Sequence, residues 1–301
     1  MPIARIQNAE ENVVQFWWHI TNVCQYSCSY CPDIAHNGSY KWPPLDNCKR
    51  FLDDVFKHFK GKKIRLGFTG GEPTAVPYLG ELLDYAKINN PNVHRTIISN
   101  GARSSFFWEK FVRHIDDVTL SYHHEFTKHS HFIHICELLG KKLGRINFCI
   151  DPNKYDHCMN LYNQLKRIGY PVLAKPLLDS GEFIDRNTKV LINYNAVQKE
   201  FINGSNSESI PIKVIRDGQL RNEQVHDIIV NDENTFRGWN CNIGKESISI
   251  FFNKVYKSEC RQGGPIGNIE KGEWDLSKLT PEVCGFSVCS CISDISISKS
   301  A

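Results

Sequence analysis

The feature that most constrains the fold of this chain is an alternation of six strand-like and five helix-like segments. The strand-like runs are rich in β-branched and aromatic residues, which suit a pleated, half-buried surface. The predicted strands are 14–20, 64–68, 94–99, 118–121, 146–150 and 172–176. The predicted helices are 45–60, 77–89, 104–115, 125–140 and 154–168. This alternation predicts an α/β fold with a parallel sheet, open or curved into a partial barrel, and chemistry at the carboxyl ends of its strands.

The pattern changes after residue 178. The polar stretch 202–209 indicates a loop or boundary. Beyond it, strands are predicted at 211–215 and 225–230, and a hairpin at 247–252 and 255–258. We therefore expect a core over residues 1–200, a connecting segment over 201–240, and a small C-terminal α+β domain over 241–301.

Composition narrows the class of function. The chain has 301 residues, of which 41% are hydrophobic and 23% charged, as in ordinary globular proteins. It has neither the apolar run of a membrane helix nor the pattern of a secretory signal, so we expect a cytoplasmic protein with no membrane partner. A net charge of +3 does not indicate nucleic acid as a partner.

The 12 cysteines are the informative part of the composition. In a reducing cytosol, clustered cysteines indicate metal or redox chemistry more often than disulfides. Three lie within residues 24–31 and five within residues 241–291. The sequence therefore predicts two separate metal centres.

The first cluster is formed by Cys24, Cys28 and Cys31, directly after the first predicted strand. Three thiolates in one short loop must surround one metal centre, and thiolates suit zinc or iron–sulfur clusters. Structural zinc needs four ligands, so a zinc site completed by His36 or His19 remains an alternative. Three ligands favour an iron–sulfur cluster with one iron open to a substrate.

The spacing CxxxCxxC after a first strand, with the aromatic Tyr30 before the third cysteine, resembles the signature of the radical S-adenosylmethionine (SAM) superfamily. The resemblance covers about residues 14–200 and implies a partial (β/α)6 barrel. It also implies a 4Fe–4S cluster whose open iron binds the amino and carboxylate groups of SAM. An electron from a donor such as flavodoxin or ferredoxin would then yield a 5′-deoxyadenosyl radical that abstracts hydrogen from a substrate.

The resemblance extends to the ends of the second and third strands. The second strand runs into Thr69-Gly70-Gly71-Glu72, which is similar to the superfamily motif that contacts the methionine amino group. A plain strand-to-helix turn is the alternative there. The third strand ends in Ser99-Asn100, which resembles a polar strand end that meets the ribose or carboxylate of the cofactor. A helix N-cap is the alternative for these two residues.

Four further residues are expected around the same cavity. Tyr30 is predicted to contact the cofactor, and Ser121 and His123 end the fourth strand. Cys149 is expected to face the interior and is the candidate catalytic residue, as a hydrogen-atom donor of the kind radical epimerases use. A small buried apolar role is the alternative for this cysteine.

The second cluster contains Cys241, Cys260, Cys284, Cys289 and Cys291. Five cysteines can supply the four thiolates of a closed 4Fe–4S cluster, and a structural zinc is the alternative. The region resembles the SPASM and twitch auxiliary-cluster domains of the same superfamily. The SPASM type has seven cysteines, so five favour the twitch type with one auxiliary cluster. The spacing does not tell which of the last three cysteines completes the set.

These patterns together predict an oxidoreductase-type radical SAM enzyme. It would oxidise, epimerise or crosslink a small-molecule or peptide substrate, assisted by the auxiliary cluster. The core starts near residue 14, which favours a small molecule, or a peptide delivered by a separate protein. The alternative is a non-catalytic iron–sulfur or zinc protein for electron transfer or partner binding.

Overall fold

The computed structural model describes residues 2–177, 193–205, 210–289 and 291–301. Its strands are β1 (Ile3–Asn8), β2 (Val13–Thr21), β3 (Lys63–Gly70), β4 (Val93–Ser99), β5 (Asp117–Tyr122), β6 (Leu143–Ile150), β7 (Val172–Pro176), β8 (Pro211–Arg216), β9 (Gln219–Gln224), β10 (Asn240–Cys241), β11 (Ser247–Phe251), β12 (Lys254–Tyr256), β13 (Gly267–Asn268), β14 (Glu273–Trp274), β15 (Glu282–Val283) and β16 (Lys299–Ser300). Its helices are α1 (Leu45–His58), α2 (Leu79–Asn89), α3 (Ser105–Phe111), α4 (His129–Leu139), α5 (Tyr155–Ile168), α6 (Ala196–Ser205), α7 (Val225–Val230) and α8 (Ile292–Ile295). None of these described helices has the length and apolar character needed to cross a membrane.

The larger sheet has ten strands in the order β14-β13-β12-β11-β2-β3-β4-β5-β6-β7. Strands β2 to β7 are parallel and adjacent in chain order, with α1 to α5 between them. The six predicted strands and five predicted helices are therefore confirmed, with ends that differ by a few residues. The described part of this sheet is open and does not close into a barrel.

The two faces of the parallel strands differ in chemistry. Phe16, Trp18 and Phe68 are fully buried on the face that packs with the helices in one apolar core. Side chains alternate along a strand, so the strand register assigns the opposite face to His19, Thr69, Ser121, Asn147 and Cys149. We call this the inner face. Its polar residues make it the surface on which chemistry is expected.

The smaller sheet is antiparallel, with the order β15-β10-β16-β1-β8-β9. Strand β1 lies between β16 and β8, so the start and end of the sequence meet in one sheet. Strand β11 pairs with β2 and extends the larger sheet. Strands of the predicted core thus pair with strands of the connecting segment and of the C-terminal domain, across the predicted boundaries at residues 200 and 240.

One predicted strand is wrong. Residues 225–230 form helix α7, in which Val225 and Ile228 are buried one helical turn apart. The carboxylate of Asp227 accepts a hydrogen bond from the Gln224 N–H at 2.9 Å and so caps the start of the helix. A short apolar run does not distinguish strand from helix. The true partner of β8 is β9, whose polar sequence QLRNEQ gives no strand signal.

The predicted loop at 202–209 is also partly wrong, because residues 202–205 belong to α6. Residues 206–209 lie outside the described part of the chain. The predicted hairpin is confirmed as β11 and β12, joined through Phe252 and Asn253. Both turn residues have positive φ, 48° and 64°, which matches the tight turns that hairpins favour.

Candidate cofactor site

The cysteine loop follows β2 and is held against the end of β3 by backbone hydrogen bonds. The Gly71 N–H donates to the Thr21 carbonyl at 2.7 Å, and the Glu72 N–H donates to the Val23 carbonyl at 2.8 Å. A Cβ on Gly70 would lie 2.2 Å from the Thr21 oxygen, and one on Gly71 would lie 2.5 Å from the Val23 oxygen. The two glycines are therefore needed for this close backbone approach, whether or not they also touch a cofactor.

Asn22 is the hub of the loop and was not predicted as a site residue. Its side chain is 0% exposed, and its Nδ2 donates to the Ile34 carbonyl at 2.8 Å, to Asn37 Oδ1 at 2.9 Å and to Ser39 Oγ at 3.0 Å. Its Oδ1 accepts from the Tyr40 N–H at 2.7 Å. Asn22 thus ties the segment after the last cysteine to the end of β2. A polar residue directly after a buried strand was the available signal.

Cys24 receives two hydrogen bonds that suit a thiolate. Its Sγ accepts from the Tyr26 N–H at 3.4 Å and from Asn100 Nδ2 at 3.8 Å. Asn100 Oδ1 in turn accepts from Gln25 Nε2 at 3.0 Å. The alternative role of Ser99-Asn100 as a helix N-cap is wrong, because Ser104 caps α3. The polar end of β4 instead touches the first cysteine.

The Glu72 carboxylate accepts a hydrogen bond from the backbone of Asn100. Its fully buried carboxylate accepts hydrogen bonds at Oε1 from the Thr74 N–H, the Thr74 hydroxyl and the Ser99 hydroxyl, at 3.1, 2.7 and 2.8 Å. Its Oε2 accepts from the Asn100 N–H at 2.8 Å. Burial raises the pKa of Glu72, and the hydrogen bonds from Asn100, Thr74 and Ser99 oppose that shift. Both Glu72 and Ser99 therefore face protein partners, and their contact with a cofactor stays a prediction.

The loop is attached to the end of β5 through aromatic and charged contacts. The Tyr30 hydroxyl lies 2.9 Å from His123 Nδ1, and their rings stack. Burial, and then the charge of His124, lowers the pKa of His123 to about 4, so its imidazole is neutral and can accept a hydrogen bond from the Tyr30 hydroxyl. The Ser29 N–H and hydroxyl donate to Glu125 at 2.7 and 2.5 Å. Ser29 and Glu125 were not predicted from the sequence.

The remaining predicted residues lie on the inner face. Thr69 is half-buried opposite His19, and Ser121 is half-buried opposite Asn147. Burial, and then the charge of Cys28, raises the pKa of Cys149 to about 12. Cys149 is therefore a protonated thiol at neutral pH, within electrostatic reach of the cysteine loop.

The donor set of the loop is compatible with an iron–sulfur cluster. In the described residues, no three His, Cys, Asp or Glu side chains converge on a point where one metal ion could be held. A 4Fe–4S cluster binds each thiolate through a different iron, so its ligands stay apart. The two candidate fourth zinc ligands have other partners: His36 lies 3.2 Å from the Cys31 carbonyl, and His19 lies 3.0 Å from Glu259.

Burial raises the pKa of Cys28 to about 12 and that of Cys31 to about 11. Both are therefore neutral thiols in the protein without metal. Metal ligation needs thiolates, so loading the site releases protons. The N–H donors around Cys24 would stabilise the charge that remains on the sulfur.

A second pocket lies between the smaller sheet and the C-terminal segment. Four of the five C-terminal cysteines line it: Cys241, Cys260, Cys284 and Cys289. Cys291 is absent from that lining, and its Sγ lies 3.2 Å from the Ser293 hydroxyl. The lining of this pocket thus contains four of the five C-terminal cysteines.

Lys299 adds a buried positive charge to this pocket. Its Nζ donates to the carbonyls of Asp294, Ile295 and Ile297 at 2.8, 2.8 and 2.7 Å. Burial raises the pKa of Cys241 and Cys289, and the Lys299 charge opposes that rise. The pocket therefore contains a cation, Lys299, that favours bound thiolates and a carboxylate, Asp294, that opposes them.

Known proteins resemble this chain in fold and in sequence. The solved structure "Native anSMEcpe with bound AdoMet" has the same fold, with a TM-score of 0.55 at 14% identity over 86% of this chain and 78% of that one. The 7-carboxy-7-deazaguanine synthase of Haemophilus influenzae is 26% identical over 163 residues, which cover 48% of this chain and 70% of that enzyme. Residues 18–124 match the family described as "Radical SAM superfamily". This match includes the three-cysteine loop and the ends of β3, β4 and β5, and it covers less than half of the chain.

Proposed function

We propose that this protein is an oxidoreductase-type radical SAM enzyme whose cluster is held by Cys24, Cys28 and Cys31. When bound and reduced, the cluster would supply the electron that splits SAM into methionine and a 5′-deoxyadenosyl radical. The substrate, a small molecule or a peptide, loses a hydrogen atom at the inner face. The observation that carries this proposal is the attachment of the three-cysteine loop to the polar ends of β3, β4 and β5.

The residues of the chain have distinct proposed tasks. Asn100 and the Tyr26 N–H stabilise the Cys24 thiolate, while Glu72 fixes the position of Asn100. The contact between Tyr30 and His123 attaches the loop to the end of β5. Gly70 and Gly71 allow the end of β3 to approach the backbone of Thr21 and Val23, which holds the cysteine loop against β3. The partial barrel, the cytoplasmic location and a flavodoxin- or ferredoxin-type donor belong to the same proposal.

The direct test uses anaerobically reconstituted protein, dithionite and SAM, with 5′-deoxyadenosine measured by chromatography. We expect product that depends on both the reductant and the cluster. Protein with intact clusters and no product would instead support the alternative role in electron transfer or partner binding. Omission of dithionite is the matched control, because the electron must come from outside the protein.

We further propose one auxiliary 4Fe–4S cluster of the twitch type, bound by Cys241, Cys260, Cys284 and Cys289. The shared pocket of these four side chains supports this set. Four thiolates form a closed site, which suits electron acceptance or substrate positioning rather than SAM cleavage. The charges of Lys299 and Asp294 would act on the reduction potential of that cluster in opposite directions.

Substitution of Cys289 or Cys291 distinguishes between the two possible ligand sets of the auxiliary cluster. We expect Cys289→Ala to lower the iron content from about eight to about four atoms per chain, since one cluster loses a ligand. We expect Cys291→Ala, two positions away, to keep the full iron content. The measurement is iron per chain after anaerobic reconstitution and gel filtration. Iron loss in the Cys291 variant alone would exchange the roles of these two residues.

A further inference from the structure

The cysteines that line the second pocket come from both sheets of the fold. Cys241 lies on β10 and Cys284 directly follows β15, and these two strands pair in the smaller sheet. Cys260 instead lies in the loop after β12, which belongs to the larger sheet. A cluster bound by these side chains would therefore join the two sheets. Its geometry would depend on how the Cys260 loop is held against the end of β15.

Gln262 connects the two cysteines Cys260 and Cys284 and lines the same pocket. Its side-chain Nε2 donates to the Val283 carbonyl at 2.7 Å, and its Oε1 accepts from the Gly285 N–H at 2.6 Å. These two partners are the residues directly before and after Cys284 in the chain. Burial raises the pKa of Cys260, and a hydrogen bond from the Gln262 backbone opposes that rise. One residue thus contacts the first ligand through its backbone and both neighbours of the second through its side chain.

The same loop is also packed closely against Glu282 of β15. Gln262 Nε2 donates to Glu282 Oε2 at 3.1 Å, and Lys257 forms an ion pair with this carboxylate. Gly263 has a φ of 77°, and a Cβ at this position would lie 2.4 Å from Glu282 Oε1. The loop therefore needs a glycine next to Gln262 to reach β15. The contact between loop and strand is specific in both its polar partners and its shape.

We propose that Gln262 is the positioning residue of the auxiliary site and sets the separation of the Cys260 and Cys284 sulfurs. Hydrogen bonds from residues behind the ligands orient those ligands and so tune a metal centre. An amide suits this position because it donates to a carbonyl and accepts from an N–H at the same time, which an ionised carboxylate or an ammonium group cannot do. This inference rests on the auxiliary cluster of the proposed function. It adds a residue that is not itself a ligand.

The first test uses the metal-free chain and does not depend on either cluster. Hydrogen exchange of peptides that contain Gly285 is followed by mass spectrometry in the wild type, Gln262→Met and Gln219→Met. Gln219 is the matched control, because it is an exposed glutamine of β9 in the smaller sheet. We expect the Gly285 amide to lose protection in Gln262→Met alone, while peptides of β2 and β3 stay protected. Unchanged exchange at Gly285, or lost protection throughout the chain, would overturn the local role of Gln262.

The second test separates the positioning of a ligand from a purely structural bond. It uses the reconstituted chain in which the three cysteines of the first loop are replaced by Ala, so that only the auxiliary cluster is bound. In this background Gln262→Met should release iron to a chelator about tenfold faster or more, since loss of such a supporting bond typically weakens metal binding about 10–100-fold. It should also change the electron paramagnetic resonance signal of the dithionite-reduced cluster, and Gln219→Met should do neither.

Equal iron release and equal spectra in the two glutamine variants would overturn the inference, even if Gly285 exchanged faster, because a structural bond alone gives that result. A background chain that binds no iron would instead contradict the auxiliary cluster itself. Failure of the proposed function is therefore seen before Gln262 is changed, and failure of this inference only afterwards.

Discussion

Replacement of Cys24, Cys28 and Cys31 by Ala in one variant should abolish 5′-deoxyadenosine formation and lower the bound iron from about eight to about four atoms per chain. The loss of product should be complete, because the open iron at which SAM binds would no longer be held. Half of the iron should remain, because the auxiliary cluster that we propose would be bound by other cysteines, far away in the sequence. Iron analysis and product chromatography on the same reconstituted sample test both parts.

The matched control is Cys48→Ala, a buried cysteine of α1 that neither site uses. It should retain the full iron content and the ability to form product after correction for folded protein. Complete iron loss in the triple variant would contradict the auxiliary cluster. Product formation by the triple variant would contradict the proposed cofactor site.

Asn22→Ala should lower the free energy of unfolding by about 3 kcal/mol or more, since each buried polar group left without a partner costs about 1–3 kcal/mol. The substitution removes the donors to Ile34, Asn37 and Ser39 and the acceptor for Tyr40. The loop between Cys31 and α1 would then lose its attachment to β2. We therefore also expect a chelator to extract iron faster from this variant.

Urea unfolding followed by circular dichroism measures the stability part of this prediction. Asn153→Ala is a suitable control, because the Asn153 side chain is exposed and it should change stability by less than about 0.5 kcal/mol. If Asn22→Ala and Asn153→Ala had the same stability, Asn22 would not be the hub of the loop. If Asn22→Ala lowered the stability but left iron extraction unchanged, the hydrogen bonds of Asn22 would stabilise the fold without protecting the metal centre.

The elements of the core could be predicted because their signals are local. Strand β2 alternates Val14, Phe16, Trp18 and Ile20 toward the helices, and such alternation is visible in the sequence. Helix α7 could not be predicted in this way, because six apolar-rich residues suit either a strand or a short helix. Its type depends on the cap from Asp227 and on packing against the smaller sheet. Strand β1 likewise depends on partners more than 200 residues away.

The candidate site likewise has some features that the sequence predicts and others that only the structure shows. The cysteine spacing was informative because one short loop brings its own ligands together. The glycine pair was also visible, but its steric reason, the approach of Thr21 and Val23, required coordinates. Glu72 was predicted as a ligand contact, whereas its carboxylate is engaged by Thr74, Ser99 and Asn100. A sequence shows which polar residues are available and does not show which partners they find.

The sequence by itself determined the parallel α/β core, the three-cysteine loop and the presence of a second cysteine group, because each depends on neighbours in the chain. Only the tertiary structure decided that four of the five C-terminal cysteines share a pocket and that both chain ends form one sheet. These features depend on contacts between distant segments, whose distances no local pattern encodes.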